Sequence, residues 1–256
     1  MNYNGVRIKR RKYRLNIRKI SIFLSMLVGI ITIIVLVTGS KDGAVANAGT
    51  NSTTPGDRAQ YIDPEDSQNA PIIVLDAGHG GFDPGTAGVS GTREDVLNLE
   101  ITQRLKNLLE QDGVRVIMTR EDENALASNK DDDMAARSRI IEQSGADIVV
   151  SIHMNWYEDP DMSGPTVLFI PGSTDGRRLA EVVQDSMNTE LNADGIARSE
   201  DFLVLRSGDQ PSIMVECGYI SNAEEEAKLK QADYQQKVAE AIYEGIQEYM
   251  NQSGNE

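Results

Sequence analysis

The chain of 256 residues carries 40 acidic against 25 basic side chains, 39% hydrophobic residues and a single cysteine. One cysteine excludes an intramolecular disulfide framework and a multi-thiolate metal site, and this apolar share in a chain this long excludes wholesale disorder. All eight charged side chains among residues 1–40 are basic, so the body is more acidic than the net −15 suggests, and nucleic acid is not an expected partner.

Residues 1–19 hold the basic cluster and read as a cytoplasmic segment. Residues 20–38, ISIFLSMLVGIITIIVLVT, contain no charge. As a helix they would rise roughly 28 Å at ~1.5 Å per residue, close to the hydrocarbon thickness of a bilayer. The positive flank predicts that the N-terminal end stays in the cytoplasm and the body is exported. The favoured reading is an uncleaved transmembrane signal anchor. The alternative is a signal peptide cleaved near Ala44-Val45-Ala46, which would leave the protein secreted. Residues 39–70, rich in Gly, Ser and Pro without apolar periodicity, read as a flexible linker. Residues 71–250 have the size of one domain, followed by a tail at 251–256.

Within that domain, Ile72-Ile73-Val74-Leu75 is a continuous apolar run ending at a glycine-rich turn, the pattern of a strand buried on both faces. Leu97, Ile101, Leu105, Leu108 and Leu109 recur at helical spacing and Gly113 ends that helix. Residues 114–118 predict a second strand. Residues 133–144 predict a helix with Met134, Ile140 and Ile141 as its apolar positions. Residues 148–152 and 167–170 predict two more strands, 177–191 a helix and 213–215 a further strand. One long final helix carries Tyr234, Val238, Ala241, Ile242 and Tyr249 on one face. This alternation predicts a single α/β domain with a mostly parallel sheet flanked by helices on both faces, whose ligands bind beyond the carboxyl ends of the strands.

The chain has only two histidines, His79 and His153, and each follows the carboxyl end of a predicted strand. Their shared edge points to a metal site, and a catalytic zinc needs a third ligand, typically a carboxylate. Glu94 and Asp95, at the start of the first helix, and Glu216, directly after the strand at 213–215, are the candidates by position. Each also has a plain structural reading, as a helix-start carboxylate or an ion-paired strand end. The run Gly78-His79-Gly80-Gly81 lacks the spacing of a dinucleotide or phosphate loop, so nucleotide binding is not expected.

Four segments together resemble the zinc-dependent N-acetylmuramoyl-L-alanine amidases (amidase type 3). They are Ile73-Val74-Leu75-Asp76-Ala77-Gly78-His79-Gly80-Gly81, Arg93-Glu94-Asp95-Val96-Leu97-Asn98-Leu99, Val150-Ser151-Ile152-His153-Met154-Asn155 and Val215-Glu216-Cys217-Gly218-Tyr219-Ile220-Ser221-Asn222. The resemblance covers residues 71–250, including Met118-Thr119-Arg120. It implies one catalytic zinc ion on His79, Glu94 and His153, and Glu216 as catalytic general base and acid. The implied reaction is hydrolysis of the amide between the lactyl group of N-acetylmuramic acid and L-alanine of peptidoglycan. Ala77 departs from the proline that many members carry. Met154-Asn155-Trp156 departs from their small residues, which bears on substrate fit. Between His153 and Gly164 there is no long insertion of the kind that forms an occluding helix in regulated members. Asn155 and Arg206 are candidate substrate-binding residues, the latter for a stem-peptide carboxylate.

Other features are read as structural. Cys217 is a small strand-end residue, since both histidines are accounted for as ligands. Asn222 with Glu225 fits an N-cap with a reciprocal carboxylate, and Asp131-Asp132-Asp133 a helix start. The expected function is a peptidoglycan amidase, anchored through residues 20–38 on the extracytoplasmic face of a bacterial membrane. The alternatives are a sporulation or germination type acting in spore-cortex modification and a catalytically inactive wall-binding module. No protein partner is legible.

Overall fold

The computed structural model describes residues 70–253. The basic segment, the apolar span at 20–38 and nearly all of the linker lie outside the described residues. Strands β1 (Ile72–Ala77), β2 (Arg115–Met118), β3 (Ile148–Asn155), β4 (Thr166–Phe169), β5 (Arg198–Ser199) and β6 (Ser212–Tyr219) form one sheet in the order β2-β1-β3-β6-β4-β5. The helices are α1 (Glu94–Gln111), α2 (Lys130–Ser144), α3 (Thr174–Leu191), α4 (Ala223–Leu229) and α5 (Ala232–Ser253), with a 3-10 turn at Val204–Arg206.

The sheet is mixed. β2, β1, β3 and β6 run parallel, but β4 runs antiparallel to β6, and β5 follows β4 in parallel. The reversal has a local cause. Residues 156–165, between β3 and β4, contain no helix, and a parallel return requires a crossover that is usually helical. The two-residue β5 is exposed and carries no apolar pattern, so no strand was expected there.

Alternation along the strands assigns each face. Ile73, Leu75, Val150, Ile152, Val167, Ile213 and Val215 are buried against α1, α3 and α5, whose Leu97, Ile101, Leu105, Leu179, Val183, Val238 and Ile242 complete the larger core. Val74, Val149, Leu168 and Met214 face the other way, against Ile141 of α2 and Val204 and Leu205 of the 3-10 turn. Helices thus cover both faces, unequally.

Three elements differ from expectation. The final helix is two, because α4 ends at Leu229 and α5 starts at Ala232. Asn222 caps α4 by accepting from the backbone N–H groups of Glu224 and Glu225. The Glu225 carboxylate, however, reaches the N–H groups of Tyr219 and Gly164, not that of Asn222. In α2, Met134 and Ile140 are only half-buried; the fully inward positions are Asp133, Arg137 and Ile141. A helix that buries two charges at i, i+4 spacing on the sheet shows little apolar periodicity.

Candidate active site

The parallel strands deliver three chain segments to one edge. β1 ends at Ala77 and passes through Gly78 to His79; β3 carries His153; and Glu216 of β6 is the direct neighbour of His153 across the sheet. Glu94 opens α1, where the N-terminal end of the helix favours a carboxylate. Its Oε1 lies 2.9 Å from His153 Nδ1 and 3.3 Å from His79 Nε2, and accepts from the Met154 N–H at 3.2 Å. Oε2 accepts from the Thr86 N–H at 2.8 Å. The two imidazoles meet edge to face, with centroids 4.9 Å apart.

His79, Glu94 and His153 each offer one ligand atom, and these atoms lie within 4.8 Å of one another. Two imidazoles and a carboxylate are a donor set suited to zinc. The surroundings fit the same use. His79 Nδ1 is 3.0 Å from Asp83 Oδ2, which fixes the ring and leaves Nε2 facing the cluster. Gly78 lies where a Cβ would overlap the His153 ring, and Gly85 where one would crowd Glu94 and His79. Asp95, the other candidate at the helix start, turns away from the cluster and pairs with Arg93 at 2.7 Å.

Charge follows this geometry. Burial alone would raise the Glu94 carboxyl, but the two imidazoles hold it far below the ordinary carboxylate range. Burial lowers His79, yet Glu94 and Asp83 together push it up to about 9. Glu216 behaves oppositely: burial, with Glu94 adding to it against His153 and His79, pushes its carboxyl up to about 7. Its Oε2 is buried without a hydrogen-bond partner among the described residues. A carboxylate poised near neutrality beside a cluster of ligand atoms is chemically equipped to move a proton.

Glu216 also lines a pocket of about 410 Å³ with Asn155, Tyr157, Thr166, Arg198, Glu200 and Phe202 among its walls. Asn155 thus lines the same pocket as Glu216, its Oδ1 accepting from the Trp156 N–H. Arg206 lies in the 3-10 turn, outside the pocket wall, exposed and 3.3 Å from Asp201. The arginine on the wall is Arg198. Cys217 is buried, and burial pushes its thiol well up, as for an inert core residue.

Beneath the site lies a network that the motif reading passed over. Arg137 is 2% exposed; it donates to Asp76 Oδ1 at 2.7 Å, Asp133 Oδ2 at 2.8 Å and the Ala77 carbonyl at 2.8 Å, and also to the His79 carbonyl. Arg120 donates to the carbonyls of Ala77, Gly78 and Asp95, and Asn98 also donates to Gly78. These donors hold the backbone at residues 77–79, where His79 occupies the left-handed region at φ 62°. A non-glycine residue in that region costs roughly 1–3 kcal/mol and persists only when its surroundings over-determine it. Farther out, Glu226 accepts from Ser90 N–H, Ser90 Oγ and Thr92 N–H, tying α4 to the loop that precedes Glu94. The only signal in the sequence for Arg137 was its i, i+4 spacing from Asp133.

Comparison with known proteins identifies the family. Residues 73–248, well over half of the chain, match the model of the N-acetylmuramoyl-L-alanine amidase family. The germination-specific N-acetylmuramoyl-L-alanine amidase of Bacillus subtilis is 32% identical over 194 residues, covering 72% of this chain and 81% of that protein. The CwlD amidase of Clostridioides difficile, solved in complex with the GerS lipoprotein, superposes with a TM-score of 0.68 at 34% identity, over 71% of this chain and 98% of that one. The catalytic domain of CwlV, an amidase from Bacillus (Paenibacillus) polymyxa, gives 0.64 at 30% identity, over 71% and 98%. With the family match running through all four motif segments and the strands that carry them, this chain belongs to the N-acetylmuramoyl-L-alanine amidases.

Proposed function

We propose that His79, Glu94 and His153 hold one zinc ion and that Glu216 is the proton-transferring residue in hydrolysis of the lactyl–L-alanine amide. The observation that carries this reading is the convergence of three ligand atoms within 4.8 Å, on segments 59 residues apart at their widest hydrogen bond, beside a carboxylate of raised pKa. When bound, zinc supplies Lewis acidity, which polarises a carbonyl and lowers the pKa of water. The remaining work falls to the protein. Glu216, as carboxylate, accepts a proton from the attacking water and then delivers it to the departing alanine nitrogen, which would otherwise leave as a poor amine anion. Asp83 and the Arg137 network keep the His79 ring and backbone from turning, and Asn155 orients substrate at the pocket mouth. Mass spectrometry of products from digested peptidoglycan tests the reaction: free stem peptides with L-alanine at their amino end are expected, and glycan cleavage or no release contradicts it. Retention of the full donor set weighs against an inactive wall-binding module.

We further propose that residues 20–38 anchor this domain at the extracytoplasmic face of the membrane, a reading supported by their uncharged apolar run and the basic residues before it. Detergent-dependent extraction of the full chain tests the anchor; release of a fragment beginning near Ala46 would support cleavage instead. Similarity to the germination-specific enzyme supports a role in spore-cortex modification within the same chemistry. Cortex stem peptides left untrimmed in a deletion strain would bear this out, and an unaltered cortex would argue for a vegetative wall role.

A further inference from the structure

The pocket beside Glu216 has a directional charge pattern that sheet register makes explicit. Thr166 of β4 pairs with Glu216 of β6, and Leu168 of β4 pairs in turn with Arg198 of β5. Direct cross-strand neighbours, and residues two apart on one strand, share a face of the sheet. Glu216, Thr166, Leu168 and Arg198 therefore project from the same face, and all four line the pocket. The Arg198 side chain is exposed and, among the described residues, makes no hydrogen bond or ion pair, unlike that of Arg206 with Asp201. Glu200 lines the same pocket without bonding to it. Two strand spacings of ~4.8 Å and a two-residue offset put the Arg198 and Glu216 backbones roughly 12 Å apart, a span that three to four extended residues cover at ~3.5 Å each.

We infer that Arg198 is a specificity-determining residue that binds a carboxylate on the peptide half of the substrate, about three residues beyond the scissile amide. This rests on the amidase reading above and gives the substrate a polarity across the sheet. In N-acetylmuramic acid the one carboxyl group is consumed by the scissile amide, so the sugar side of the bond offers a guanidinium no adjacent anion. The peptide side carries free carboxyl groups. The leaving peptide accordingly runs from Glu216 over β4 towards β5, with Tyr157 and Phe202 walling its path.

The test uses the full chain loaded with zinc and synthetic N-acetylmuramoyl tripeptides in two forms, with carboxyl groups free or all converted to carboxamides. Wild type should favour the acid form. Arg198→Gln should raise KM for the acid form about tenfold or more, the loss expected for a charge-assisted hydrogen bond, with kcat within about twofold. The amide form should show no comparable change, and Arg198→Lys should recover part of the difference. Equal KM for both forms in wild type, or an equal loss on both forms in Arg198→Gln, overturns the assignment. If wild type releases peptide from neither form nor from whole peptidoglycan, the amidase reading itself fails and the role of Arg198 falls with it. Thermal denaturation of Arg198→Gln should match wild type, because the side chain is exposed and unpaired.

Discussion

Replacing Arg137 with methionine tests whether the buried ion network holds the metal-ligand loop. Met preserves most of the side-chain volume but removes every donor, leaving Asp76 and Asp133 buried, 2% and 7% exposed, without their counter-ion. The carbonyls of Ala77 and His79 lose a donor at the same time. Breaking one side of a buried ion pair costs about 3–5 kcal/mol, because the remaining charge stays desolvated. Against a domain stability of about 5–15 kcal/mol, that is a large fraction. At roughly 2–4 °C per kcal/mol for a domain of this size, the midpoint should fall by roughly 6–20 °C. Urea denaturation followed by circular dichroism measures the loss, with zinc titration of the folded fraction as a second readout. Adding Asp76→Asn and Asp133→Asn should return part of the stability, since neutral amides are cheaper to bury than lone carboxylates. A loss below about 1 kcal/mol in Arg137→Met would refute the reasoning, as would a triple variant less stable than the single one.

Three further predictions follow from named groups. Asp76 is held down to about 2 from 3.8: burial opposes this, but Arg137, Ser151 and Thr119 outweigh it. Because the folded value is depressed, its contribution of about 2 kcal/mol is fully present above pH 4 and disappears as pH falls towards 2; in Asp76→Asn, stability should lose that slope between pH 4 and 2, and an unchanged slope would assign it to other carboxyls. Gly78→Ala places a methyl group in the His153 ring; zinc affinity should drop at least tenfold while circular dichroism stays that of the wild type, and unchanged affinity would mean the ring is not confined there. In the zinc-free protein, Glu216→Gln should be more stable than wild type at pH 8 by about 3 kcal/mol, because a carboxyl raised to about 7 from 4.5 is ionised there at a burial cost that the amide avoids. Equal stability of the two at pH 8 would show that Glu216 is not desolvated.

What the sequence made legible divides along physical lines. β1, β3 and β6 are buried on both faces, so their apolar runs stood out without any partner being known. The leucine spacing of α1 marked its inward stripe just as clearly. His79, His153 and Glu216 were recognisable because each sits at the end of such a run, and only the four-segment resemblance singled out Glu94 over Asp95. The reversed β4 was not legible, since strand direction depends on what the chain does between strands. β5 was missed because two exposed polar residues carry no pattern, and with it went Arg198, whose significance lies in pairing through Leu168. Arg137 was missed for the opposite reason: helix propensity and hydrophobic periodicity are blind to a charge that is buried because its partners are buried with it. Glu225, expected from its spacing to cap its own helix, instead reaches out with Glu226 to fasten loops at Gly164 and Ser90.

Ligand and proton-transfer residues divide the labour at this site, and zinc stoichiometry paired with turnover measures that division most directly. Purified wild type and Glu216→Gln should each hold one zinc per chain, His79→Ala should hold none, and only wild type should release stem peptide from peptidoglycan. A His79→Ala protein that keeps its zinc, or a Glu216→Gln protein as active as wild type, would contradict it.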